Sequence, residues 1–114
     1  MKLSAVRDHL QGAVLTGADK LDTDVNVAVA SDGMSAVLAA PHPGALLITA
    51  LTNIQSVRTA DVAYMAAVLY VRGHRPNGAT IEFAGKKGIV LLATALGMFD
   101  ACGILRERGL SGAS

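Results

Sequence analysis

A chain of 114 residues with one cysteine and a net charge of +1 at pH 7 is long enough for one real core and too short for two domains. The even charge balance argues against nucleic acid as the main partner, since a phosphate-tracking protein needs a basic stripe. The single thiol, Cys102, excludes an internal disulfide and a cysteine-based metal cluster.

Hydrophobic residues make up 52% of the chain and charged ones 17%, below the roughly 25% usual in globular domains. That deficit points to a surface partly covered by another subunit. With no Trp, two Tyr and two Phe, the core must be aliphatic. The opening Met1-Lys2-Leu3-Ser4-Ala5-Val6-Arg7-Asp8 lacks the uninterrupted apolar region of a signal peptide. No apolar stretch has the length of about 18 residues that a bilayer span needs. A soluble, reduced, cytoplasmic protein without a membrane partner is expected.

Leu3, Val6 and Leu10 have helical spacing, with Ser4 placed as N-cap and Gly12 as the stop. Residues 13–16 read as a short strand, and Gly17 to Lys20 as a turn. Val25, Val27 and Val29 alternate with smaller or polar residues, which predicts a half-buried strand over 25–30. A helix follows from about Gly33 to Ala40 with Met34, Val37 and Leu38 inward. Pro41-His42-Pro43-Gly44 breaks the chain. Residues 46–50 are continuously apolar up to Thr49, hence a central strand. Thr52-Asn53 opens a helix burying Ile54, Val57, Ala60 and Val62 or Ala63.

The segment from Ala66 to Thr94 organises the rest. Apolar runs at 66–71 and 89–93 flank a helix from Ala79 to Lys87, the pattern of a right-handed parallel β-α-β crossover. A last helix is predicted from Leu96 to Arg108 with Met98, Phe99, Cys102 and Leu105 inward. Gly109 stops it, and residues 110–114 are expected to fray. The order implies one α/β domain, a layered sandwich around a mostly parallel sheet of about five strands.

Ligands of open parallel sheets bind beyond the carboxyl ends of the strands. Arg72, Gly73, His74 and Arg75 follow the strand at 66–71, and the next helix starts near Asn77. Two guanidiniums beside a glycine and a helix N-terminus make a reasonable anion site; a solvated turn with a surface salt bridge is the bland alternative. Thr94, ending the neighbouring strand, offers a further hydroxyl. Asp32 reads either as a helix cap or as a ligand-edge carboxylate that orients an arginine or accepts from a ribose-like hydroxyl; Asp22 and Asp24 are the other carboxylates near that strand.

Gly85-Lys86-Lys87 is no phosphate-binding P-loop, because Lys87 stands where Ser or Thr is required and the spacing from Gly78 is wrong. His9, His42 and His74 are too scattered for a metal site. Cys102, on a helix face with no base beside it in sequence, behaves as a small hydrophobe. No acid–base or nucleophile–base pair is legible, so no catalytic residue, metal or cofactor is assigned.

The pattern resembles the DRTGG domain family over about residues 2 to 110. The likeness rests on the opening Met-Lys-Leu-Ser, on Ala30-Ser31-Asp32, and on Leu47-Ile-Thr-Ala-Leu-Thr-Asn. It continues through Ala67-Val-Leu-Tyr-Val-Arg-Gly-His-Arg-Pro, Gly88-Ile-Val-Leu-Leu-Ala-Thr, Asp100-Ala-Cys-Gly and Gly109-Leu110. Such domains occur alone, in some phosphotransacetylases, between CBS domains of certain pyrophosphatases, and among kin of the HPr kinase N-terminal domain. Many members carry Thr-Gly-Gly after the central strand where this chain has Arg72-Gly73-His74, and an aspartate where it has Gly97. That fits a stand-alone branch, often encoded beside hydrogenase or NADH-dehydrogenase-like subunits. HPr kinase activity requires the P-loop of a separate catalytic domain, and no P-loop is legible here.

The resemblance implies a homodimer with a regulatory character. Its expected role is to sense a small anionic metabolite or nucleotide, or to dock on a partner enzyme. The alternative is a structural interaction module with no ligand.

Overall fold

Three apolar runs, at residues 45–48, 67–71 and 89–93, are buried along their whole length, and strand alternation explains why both faces of each must be apolar. In the computed structural model, which describes residues 1–113, they form β3 (Leu46–Thr49), β4 (Ala67–Tyr70) and β5 (Val90–Ala93). With β1 (Ala13–Thr16), β2 (Val27–Ala30) and β6 (Ser111–Gly112) they build one sheet in the order β1-β5-β4-β3-β2-β6. All pairs are parallel except β1 with β5, whose register slips between Val14 and Thr16.

Five helices cover the sheet: α1 (Leu3–His9), α2 (Met34–Ala39), α3 (Ile54–Val62), α4 (Gly78–Lys87) and α5 (Met98–Glu107). Leu46, Ile48, Ala67, Leu69, Val90 and Leu92 turn to one face and pack with Leu3, Val6 and Leu10 near α1 and with Ala101 and Leu105 of α5. Leu47, Val68, Tyr70 and Leu91 turn to the other, against Met34 and Val37 of α2, Val57 and Ala60 of α3, and Ala84 of α4. The result is a sandwich of three layers, as the alternation of strands and helices implies. At its centre Leu47, Ile48, Val68, Leu69, Val90 and Leu91 are each at most 1% exposed.

The β4-α4-β5 unit is the parallel crossover expected from the sequence. Asn77 caps α4, its Oδ1 accepting from the Thr80 amide at 2.9 Å, and Gly88 closes the helix in the left-handed conformation. Asn53 caps α3 in the same way through the Gln55 amide. Gly17 has φ +89°, and a Cβ there would lie 3.0 Å from the Val90 Cα, so both backbone and space require glycine. It precedes a single 3-10 turn, Ala18–Lys20.

Several local expectations are corrected. Lys2, not Ser4, is the N-cap of α1. Phe99 and Leu38 point outward, with Phe99 91% exposed, while of the pair Val62 and Ala63 it is Ala63 that is buried. The sheet has six strands, because Ser111–Gly112 do not fray: they pair with Val27 and Ala28, and Leu110 is buried. Ser114 lies outside the described residues.

Candidate functional site

Parallel pairing of β2 through β5 brings four strand ends to one edge of the sheet. There the chain leaves β4 through Arg72 and Gly73, β2 through Ser31 and Asp32, β3 through Ala50, and β5 through Thr94. This is the edge at which such sheets hold ligands.

The turn after β4 is held in an unusual backbone state. Arg72 has φ +65° and Gly73 φ +72°. Left-handed geometry costs an ordinary residue about 1–2 kcal/mol, and two hydrogen bonds hold it here. The Arg72 amide donates to the Leu96 carbonyl at 2.7 Å and the Gly73 amide to the Thr94 carbonyl at 2.9 Å. The backbone is thereby anchored to the β5–α5 connection, while the side chains of Arg72, His74 and Arg75 stand in solvent. Among the described residues neither guanidinium has an ion-pair or hydrogen-bond partner. A Cβ added at Gly73 would meet nothing within 4 Å, so the backbone there is open to approach. Pro76 is buried beneath the turn, and the first amides of α4 follow, partly satisfied by Asn77.

Asp32 does not cap α2, whose N-cap is Gly33 with no side-chain bond. Its carboxylate turns instead to the end of β3, where Oδ1 accepts from the Thr49 hydroxyl at 2.7 Å and from the Ala50 amide at 2.8 Å. The Thr49 hydroxyl in turn accepts from the Leu51 amide at 3.1 Å. The hydrogen bonds from Thr49 and Ala50, and to a smaller extent the charge of Arg72, hold the Asp32 carboxyl below its ordinary value. Thus Asp32 and Arg72 share the edge electrostatically across β3.

A lowered folded pKa contributes stability above the unfolded value and loses it as pH falls through the folded one. Asp32→Asn should therefore be less stable than the parent at neutral pH in urea unfolding, the gap closing once pH drops below the ordinary carboxyl value of 3.8. A gap unchanged down to strongly acidic pH would show that the charge is not the source.

Thr94 is a correction of another kind. It is 3% exposed; its hydroxyl donates to the Leu10 carbonyl at 2.8 Å and accepts from the Leu96 amide. That hydroxyl ties α1 to the sheet and is not free for a ligand. The structure thus brings Arg72, Gly73 and Asp32 to one edge and leaves His74 and Arg75 exposed on the same turn. Thr49 was missed by the sequence reading; a threonine closing an apolar run beside an aspartate one strand away has no local signature.

The lysines rejected as a P-loop sit at the other end of α4. Lys86 pairs with Glu82 at 3.3 Å and Lys87 with Asp61 at 3.5 Å. Burial pushes the Cys102 thiol up, away from nucleophilic character. Among the described residues no three His, Cys, Asp or Glu side chains gather as a metal-binding set, and no helix is long and apolar enough to cross a membrane. A groove of about 490 Å³ runs between α5 and the β2–β6 edge, lined by residues such as Ala30, Ile48, Phe99, Cys102 and Leu110. The arginine turn does not line it.

No protein-family model matches the chain, and no match is found among curated proteins. A solved structure is similar: the CBS and DRTGG domains of the regulatory region of Clostridium perfringens pyrophosphatase, complexed with its activator, diadenosine tetraphosphate. The two superpose with a TM-score of 0.75 at 18% identity, over 91% of this chain and 45% of that one. The chain thus spans less than half the length of this neighbour, and the likeness is one of fold. On that likeness, the six-stranded α/β sandwich described above is DRTGG-like.

Proposed function

We propose that the chain is a non-enzymatic regulatory or accessory domain, homodimeric, that senses a small anionic metabolite or nucleotide at the Arg72–Arg75 turn. One observation carries the reading: two guanidiniums without partners among the described residues stand on an anchored turn at the carboxyl edge of a parallel sheet. Arg72 and Arg75 grip phosphate or carboxylate through paired donors. Gly73 admits the ligand to the backbone, and His74 offers a further ring nitrogen. Asp32 orients Arg72 or accepts from a ribose-like hydroxyl. The regulatory region with a similar fold was solved with a dinucleotide activator, which supports the choice of ligand class.

A second reading is favoured by the openness of the turn, which the groove beside α5 does not reach. Here the arginines dock on an acidic surface of a partner enzyme, for example one of hydrogenase or NADH-dehydrogenase type, or of a purely structural assembly, and bind no small molecule.

Thermal-shift screening with nucleotides and acyl phosphates separates the two. A sensor gains about 10 °C in Tm when ligand stands at about 100 Kd. A docking module does not move with any of them, and that result would sink the sensing reading.

A further inference from the structure

Helix α5 presents a face that its own fold covers only at Cys102, which is half-buried. Phe99, Cys102, Gly103 and Arg106 follow the spacing i, i+3, i+4, i+7 and so share one stripe. Phe99, in the first turn, is 91% exposed. Beside the stripe runs the groove of about 490 Å³, apolar at Ile48 and Leu110, with Arg106 its one charged lining residue among the described residues.

We infer that this stripe is the pairing surface of the homodimer, α5 packing antiparallel against α5 of a second copy. The inference rests on the homodimer part of the reading above and is independent of the arginine turn. A two-fold interface must be complementary to itself, and this stripe is. An antiparallel pair centred between Cys102 and Gly103 sets position 99 against 106 and position 102 against 103. Small residues meet at the centre, which lets the helix axes come close. On either side the Phe99 ring of one copy meets the Arg106 guanidinium of the other, a cation–aromatic contact at the mouth of the groove.

Gly103 supplies an independent observation. Glycine inside a helix is unfavourable, yet a Cβ here would meet nothing within 4 Å. The monomer does not need the gap, whereas a helix lying across it does. Asp100 and Glu107 lie along the opposite flank, where they line a second hollow with Leu96 and Ile104. In the pair, four carboxylates gather on that rim. Their repulsion is screened by salt, so association tightens as ionic strength rises. A contact centred on one ten-residue helix belongs to the small class of interfaces, and micromolar association is expected.

Sedimentation equilibrium from micromolar to millimolar concentration, with Cys102 kept reduced, tests this. The parent chain should approach twice 11.7 kDa, more completely at higher salt. Phe99→Ala and Gly103→Leu should each weaken pairing at least tenfold, with circular dichroism unchanged and the Tm of dilute samples unchanged for Phe99→Ala and no lower than the parent's for Gly103→Leu. If both variants pair as well as the parent, this face is not the interface, although the homodimer reading survives. If the parent stays at 11.7 kDa throughout, both fail. Uptake of an apolar dye by that monomer would then assign the groove to a different occupant.

Discussion

Replacing Arg72 and Arg75 together by alanine is expected to weaken binding of the anionic ligand at least tenfold. A hydrogen bond to a charged group is worth about 1.5–3 kcal/mol, and 1.4 kcal/mol is tenfold in affinity. Both guanidiniums stand in solvent with no partner among the described residues, so their loss leaves no buried group unsatisfied. The Arg72 amide keeps its bond to the Leu96 carbonyl whatever the side chain. Unfolding by urea should therefore be nearly unchanged while titration calorimetry with the ligand found by thermal shift loses most of its signal. Unchanged binding in the double variant would refute the site.

The largest effect on stability is expected at Tyr70. It is fully buried on β4, and its hydroxyl lies 2.8 Å from the Ser56 hydroxyl. Tyr70→Ala removes an aromatic ring from a packed layer and should cost about 3–5 kcal/mol, a large share of the roughly 5–15 kcal/mol that holds a domain. Tyr70→Phe keeps the ring. Ser56 retains its bond to the Asn53 carbonyl, so the cost should be about 1 kcal/mol. Burial pushes the Tyr70 phenol above its ordinary value of 10.0. Its folded pKa is raised, so its stabilisation is full below pH 10.0 and is lost as pH rises through the folded value. Equal costs for the two variants in urea titrations would mean that packing is not what Tyr70 contributes.

What the sequence disclosed was what depends on near neighbours. The runs at Leu46–Thr49, Ala67–Tyr70 and Val90–Ala93 announced buried strands because both faces are apolar. Asn53 and Asn77 announced helix starts because a cap bonds two or three residues onward. What stayed hidden depends on distant partners. Thr94 looked free because its acceptor, Leu10, lies 84 positions away. Asp32 looked like a cap because the position of β3 beside β2 is a matter of topology, and only that neighbour offers Thr49 and Ala50.

Phe99 was misplaced because the apolar residues of α5 admit two helical phases. Ala101 and Leu105 set the buried one and turn Phe99 out. Ser111–Gly112 carry no strand signal, and they pair only because the edge of β2 is there to receive them. Of the site, the arginine turn was legible as a loop after a buried strand. The left-handed state of Arg72 and its bonds to the β5–α5 connection were not.

The strand order also bears on how the molecule assembles. The seams β2–β3, β3–β4 and β4–β5 join neighbours in the chain through single helices, so they can zip while only the middle of the sequence is available. The two outer seams cannot. Ala13 must find Ala93, and Ala28 must find Gly112, closing loops that span most of the chain for strands of four and two residues. Long closures return little enthalpy until the rest is in place. A nascent chain therefore holds a four-stranded nucleus, β2 to β5, with an open flank on each side. The flank at β2 stays exposed to other strands until residues 111–112 leave the ribosome.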